Sequence, residues 1–217
     1  MRAALLYGGE FRTFEYTFHN SDIAKFFDCD YYLSTWDYSK QQYDNSEDYF
    51  EFQVTPELIN KIIPSAKFEI LNEKNIFTNP VFSTNKLFFH WQNALKLMLS
   101  QNKIYDVIIV NRFDSQIRFK DIYKHPTFLL DENILYGDLI HVWSVNPFRF
   151  GVNDHFYFGS YVLIKKFLQT LPDFSDDKIT FDCHNDLADH IIYNLKTCVS
   201  DVHPFNKILI RPHKKNN

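Results

Sequence analysis

A chain of 217 residues is long enough for one domain that buries roughly 70% of its unfolded surface, and a net charge of −4 lacks the basic excess of a nucleic-acid binder. Its three cysteines, Cys29, Cys183 and Cys198, form no C-x-x-C pair, which argues against a structural zinc and suits a reducing, cytoplasmic setting. No apolar run approaches the ~18 residues of a transmembrane span, and the stretch from Met1 to Gly8 is too short for a signal sequence.

Residues 2–7 are apolar and end at Gly8 and Gly9, a first strand followed by a tight turn. A helix capped by Asn20 or Ser21 is expected next, with Ile23, Ala24, Phe26 and Phe27 turned inward. Residues 30–36 read as a second strand ending at Asp37. The polar run over residues 38–51 reads as a long loop, either a lid over a substrate or local disorder. Thr55, Pro56 and Glu57 form a helix start, with a capping hydroxyl, proline in the first turn and an early acid, and Pro64 ends that helix. Residues 67–71 alternate as a third strand.

The strongest helical pattern opens at Ser83 or Thr84 and places Leu87, Phe88, Trp91, Leu95, Met98 and Leu99 on one side. It leads into Val107, Ile108, Ile109 and Val110, four consecutive branched residues of the kind buried on both faces of a central strand. Short strands follow at residues 134–136, 138–143 and 156–159. Helices are expected from a Ser160 cap to Leu171 and over residues 186–196, with a last strand at residues 207–210. Alternating strands and helices predict a single α/β domain over residues 1–217: a Rossmann-like layered fold with a mixed, mostly parallel central sheet flanked by helices.

In such sheets ligands bind beyond the carboxyl ends of the strands, and three candidate groups fall there. Gly8, Gly9 and Arg12 follow the first strand, where glycines let backbone amides approach a pyrophosphate and the arginine neutralises it; a plain turn is the other reading. Trp36 and Asp37 follow the second, as a nucleoside contact or a helix cap. Arg112 and Asp114 follow the fourth, spaced two apart so that both face one side, as an anion and cation clamp or a surface ion pair. Asn153, Asp154 and His155 precede the strand at residues 156–159. They read as a polar loop that binds a hydroxylated acceptor and supplies a base in Asp154, or as an Asx turn. G-x-G-x-x-G, H-E-x-x-H and G-x-S-x-G motifs are all absent, so a dinucleotide cofactor, a hydrolytic zinc and a serine nucleophile have no support.

Taken in order, Gly8-Gly9-x-x-Arg12, Ser34-Thr35-Trp36-Asp37, the run from Tyr105 to Asp114 and the run from Asn153 to Ser160 resemble the small GT-A-fold glycosyltransferases of bacterial capsule and lipopolysaccharide loci and of large DNA viruses. The resemblance covers about residues 2–200. It implies a GT-A-like fold and sugar transfer from a nucleotide-diphosphate sugar to a glycan or other hydroxyl acceptor. It also implies donor contacts from Gly8, Gly9, Arg12, Trp36, Asp37 and Asp114, acceptor contacts from Asn153 and His155, and catalytic roles for Asp154 and Arg112. The cofactor implied is Mn²⁺ or Mg²⁺ on Asp114; read from the residues alone, the isolated His203 is a further ligand for such a cation or a surface histidine. One departure is plain, since the usual D-x-D is Arg112-Phe113-Asp114 here and its first carboxylate is missing. An Asp114→Ala change is expected to abolish metal-stimulated turnover and leave the fold intact. A non-catalytic scaffold that binds a nucleotide or glycan, and a metal-dependent nucleotidyltransferase, are the alternatives.

Overall fold

The computed structural model describes residues 1–42, 49–78, 83–119, 130–141, 150–176, 178–181, 184–200 and 205–209. In chain order the first half holds β1 (Arg2–Gly9), α1 (Phe14–His19), β2 (Asp28–Trp36), β3 (Tyr38–Gln42), β4 (Tyr49–Gln53), α2 (Pro56–Ile62), β5 (Lys67–Leu71), α3 (Glu73–Ile76), α4 (Ser83–Leu99) and β6 (Val107–Arg112). The second half holds β7 (Ser115–Phe119), β8 (Ile134–His141), β9 (Phe150–Ser160), α5 (Tyr161–Thr170), α6 (Asn185–Asp189), β10 (Cys198–Ser200) and β11 (Phe205–Leu209).

Seven strands form the central sheet in the order β10-β8-β9-β6-β1-β2-β5. β9 runs antiparallel to both neighbours, and the remaining pairs are parallel, so the sheet is mixed and mostly parallel as expected. Its central strands are buried on both faces. Ala4 and Leu6 of β1 and Ile108 and Val110 of β6 enter a core beneath α4 and α5, while Leu5, Tyr7, Val107 and Ile109 enter a second core beneath α1 and α2. This is why these segments read as unbroken apolar runs rather than as alternating ones. Each leucine, isoleucine and valine among them, fully buried, contributes about 1.5–3 kcal/mol. Among the described residues, no helix is long and apolar enough to cross a membrane.

The helix signals hold where caps were expected. Thr55 Oγ1 accepts from the Leu58 amide at 3.3 Å, and Ser160 Oγ accepts from the Leu163 amide at the same distance. On α4, Leu87, Phe88, Trp91, Leu95 and Met98 are buried as the spacing predicts.

Five local expectations are corrected. Asn20 and Ser21 end a helix instead of starting one. Phe14 and Thr17 already supply the buried face of α1, and Ser21 Oγ donates back to the Thr17 carbonyl at 2.7 Å. Only residues 23–25 then turn, as a single 3₁₀ turn with Ile23 buried and Ala24 exposed. The expected loop over residues 38–51 contains the antiparallel hairpin β3-β4, whose pairing places Lys40 opposite Glu51; a salt bridge of 2.8 Å joins them. Residues 43–48 lie outside the described residues. The strands expected at 134–136 and 138–143 are one strand, β8, with residues 142–149 outside the described residues. The helix expected over 186–196 is α6 followed by a π-helical turn at His190–Leu195. The last strand, β11, pairs with β7 away from the central sheet.

Candidate functional site

Register brings the strand ends level with one another. Gly8 pairs with Ser34 of β2 on one side and with Arg112 of β6 on the other. A cleft of about 100 Å³ opens at this carboxyl edge, between the turn after β1, the end of β6 and the first turn of α4. Its walls include Gly8, Gly9, Arg12, Trp36 and Asp114, five of the six residues expected at a donor site, together with Arg112 and Asp154, the two expected in catalysis.

The two glycines serve packing as much as ligand approach. A Cβ on Gly8 would sit 2.5 Å from Trp91 Cδ1 and 3.0 Å from the Trp91 amide nitrogen, so Gly8 is what lets α4 lie directly on β1. Gly9 has φ of +104°, a conformation that side chains oppose. Trp91 closes the same joint from the helix side by donating Nε1 to the Asn111 carbonyl at 3.2 Å.

Arg12 also has a positive φ, 42°, the left-handed region that costs an ordinary residue about 1–2 kcal/mol. Its amide donates to the buried Ser39 hydroxyl at 2.9 Å, so the β3 strand fixes this turn. Strain of this kind persists only where the surroundings over-determine it. The result is a guanidinium directed back into the cleft. Nε of Arg12 donates to Glu10 at 3.3 Å and Nη1 to Asp114 at 2.5 Å.

Between β6 and β7 the chain turns through Arg112, Phe113 and Asp114. Phe113 is pulled into the core against Tyr7, Phe11 and Phe14, and its carbonyl accepts from Thr17 Oγ1 at 2.6 Å. With the middle residue anchored inward, its two neighbours face the cleft, as the two-residue spacing predicts. Arg112 grips Asp114 through two parallel bonds, Nε to Oδ1 at 3.0 Å and Nη2 to Oδ2 at 2.9 Å. Asp114 lies behind the cations, its side chain 4% exposed against 24% for Arg12 and 17% for Arg112. Burial alone would raise the Asp114 pKa, but the charges of Arg112 and Arg12 outweigh it and hold the carboxyl below its ordinary value.

Asp154 reaches the cleft from the far side, its Oδ2 3.4 Å from Nη1 of Arg112 and its Oδ1 3.2 Å from Nε2 of His155. Asn153, Asp154 and His155 are not on a loop before a strand. They lie within β9, where its register against β8 shifts between Gly137 and Leu139. Four β9 residues, 153–156, stand against one of β8 there, an irregularity of the kind that re-aims side chains beside sites.

Several expected site residues are placed otherwise. Trp36 reaches the cleft wall but is 3% exposed, stacked on Phe89 and edge-on to His90 at 4.1 Å. Asp37 stands apart from the cleft walls. Its amide donates to the Leu71 carbonyl, its carbonyl accepts from Val54, and its Oδ2 accepts from Asn72 at 2.8 Å, so it ties the hairpin to the end of β5. Of Asn153 only the backbone position is described, and His203 lies outside the described residues. Sequence reasoning missed Lys86, which lines the cleft from the first turn of α4 and pairs with Glu73 at 2.5 Å. Its only signal was a cation early in a helix whose N-terminus points toward a strand-end crevice.

The residues at Asp114 do not fit the implied Mn²⁺ or Mg²⁺. Such ions need open carboxylate oxygens, and here both oxygens of the candidate carboxylate already accept from guanidinium groups. Among the described residues, no group of three histidine, cysteine or acidic side chains is placed to hold a metal.

No protein-family model matches the sequence, and no curated protein matches it. Among solved structures the chain is similar to the apo form of the glycosyltransferase GlyE of Streptococcus pneumoniae TIGR4, at 13% identity and a TM-score of 0.41. The match covers 92% of this chain and 45% of that one, so the chain spans less than half the length of that neighbour. A likeness of this degree has no bearing on activity, and the functional reading rests on the cleft itself.

Proposed function

We propose that the protein is a glycosyltransferase of the GT-A-like kind, moving a sugar from a nucleotide-diphosphate donor to a hydroxyl of a glycan or glycoconjugate. The observation that carries this reading is the convergence of Arg12, Arg112 and Lys86 on one strand-end cleft with Asp154 across from them. Cations at the carboxyl edge suit a diphosphate, and a carboxylate opposite suits a hydroxyl that must lose a proton.

In this scheme the bond between the anomeric carbon and the diphosphate oxygen breaks, and its electron pair leaves with the nucleoside diphosphate. Arg12, Arg112 and Lys86 stabilise that departing charge, each fixed donor contributing about 3–4 kcal/mol when it is aimed at the charge as it forms. The acceptor oxygen attacks the anomeric carbon, and its proton passes to a carboxylate oxygen of Asp154 if configuration inverts.

Incubation with UDP-, GDP- and dTDP-sugars and mixed hydroxyl acceptors is expected to release nucleoside diphosphate from one donor class. Asp154→Asn is expected to slow release by about 10²-fold or more while donor affinity stays close to wild type. Pyrophosphate release from nucleoside triphosphates in place of this activity would move the protein to nucleotidyl transfer. Donor binding without release would leave a binding protein on the same scaffold.

A further inference from the structure

We infer that guanidinium charge does the work usually given to a divalent cation in this cleft, so that the diphosphate of the ligand binds without metal. The inference rests on the glycosyltransferase reading for the identity of the ligand, and on the donor set for the absence of a metal requirement.

Three observations converge on it. The carboxylate at the metal position is saturated, because Oδ1 of Asp114 accepts from Arg112 while Oδ2 accepts from both Arg112 and Arg12. A cation arriving there would have to displace two arginines from both oxygens and set its charge against theirs. Next, the charges are ordered with the carboxylate innermost and the guanidinium groups toward the opening, so an incoming anion meets positive charge first. Finally, donors remain to be used. Nη2 of Arg12 has no partner among the described residues, and the planar fork of an arginine matches phosphate oxygens two at a time. Asp114 thus acts as a positioning residue, holding both forks in place.

Titration calorimetry of the full chain with UDP, GDP, dTDP and inorganic pyrophosphate, each in excess EDTA and again in excess Mn²⁺ or Mg²⁺, tests this. The expected result is binding of at least one diphosphate in EDTA, with an affinity within about threefold of that in metal. Arg12→Gln and Arg112→Gln are each expected to weaken that EDTA binding at least tenfold. Lys86→Gln, outside the buried Asp114 network, gives a further variant should either arginine variant fail to fold, with weakening of at least threefold expected. Binding that appears only with metal, or tightens tenfold or more with it, overturns the inference and leaves the glycosyltransferase reading standing. Folded arginine variants that bind like wild type in EDTA also overturn it. If no diphosphate binds under either condition, both readings fall.

Discussion

Asp114 shows how much a single side chain can be asked to hold. Its carboxylate is buried beneath two arginines, so removing it does more than remove a ligand. Breaking a buried charge pair from one side typically costs about 3–5 kcal/mol, because the partner charge is left desolvated and unpaired. Here Arg12 keeps Glu10 and Arg112 keeps Asp154, so Asp114→Asn, which keeps the shape and loses the charge, is expected to lower unfolding free energy by less, about 1–3 kcal/mol in urea denaturation. A change below about 0.5 kcal/mol, the ordinary range for surface positions, would mean that the arginines are well solvated without it. Residue type and spacing made Arg112 and Asp114 legible as a pair facing one side. That they pair with each other was one of the two readings; that Arg12 joins them and buries the carboxylate was not legible, since it comes from a turn 102 positions away in the chain.

At the scale of elements, the joint between β1 and α4 decides whether a cleft exists. The Gly8→Ala variant puts a methyl 2.5 Å from the Trp91 ring and 3.0 Å from the helix backbone, which cannot swing aside as a flexible side chain does. Overpacking of this sort costs about 1–3 kcal/mol, and thermal melts of Gly8→Ala are expected to show a loss in that range. Wild-type stability would show that α4 slides without penalty.

The strands and the long helices were readable because apolar periodicity reflects the face an element buries, as in β1, α4 and β6. The hairpin β3-β4 was hidden by polar composition, since its pairing is carried by backbone bonds and by contacts such as Lys40 with Glu51. The irregularity in β9 was hidden too. Nothing local in Asn153-Asp154-His155 tells a polar turn from a re-aimed stretch of strand, because the difference lies in the register of β8.

At the scale of the whole molecule, burial favours the neutral form of two histidines, His90 and His190. His90 is fully buried between Trp36 and the end of β2, with Nδ1 2.7 Å from Ser34 Oγ, and burial pushes its pKa down to about 3. His190 is shifted the same way, again chiefly by burial. The unfolded chain takes up a proton on each near pH ~6.5, where the native ring of His90 refuses it. Stability is thus fully present above that pH and falls as pH drops through the window down to about 3, by up to ~1.4 kcal/mol per pH unit for His90. Denaturation at pH 7 and pH 5 is expected to show this loss, and ring resonances of His90 are expected not to titrate between pH 8 and 5. A His90 ring that titrates near 6.5 would contradict the burial.

The place of β1 in the sheet also has a consequence for the order of assembly. It is the first strand of the chain, yet it lies between β2 and β6, and its pairing with β6 joins Gly8 to Arg112. During synthesis β2 can cover one edge early. The other edge, with Leu5, Leu6 and Tyr7 along it, waits until residue 112 has been made, and the next edge, that of β6, waits for β9. Long-range parallel pairing of this kind is slow to form and leaves an apolar edge open to wrong partners meanwhile. The nascent chain therefore passes through a stage with a three-stranded sheet, β5-β2-β1, whose β1 edge is unguarded, when shielding by a chaperone matters most.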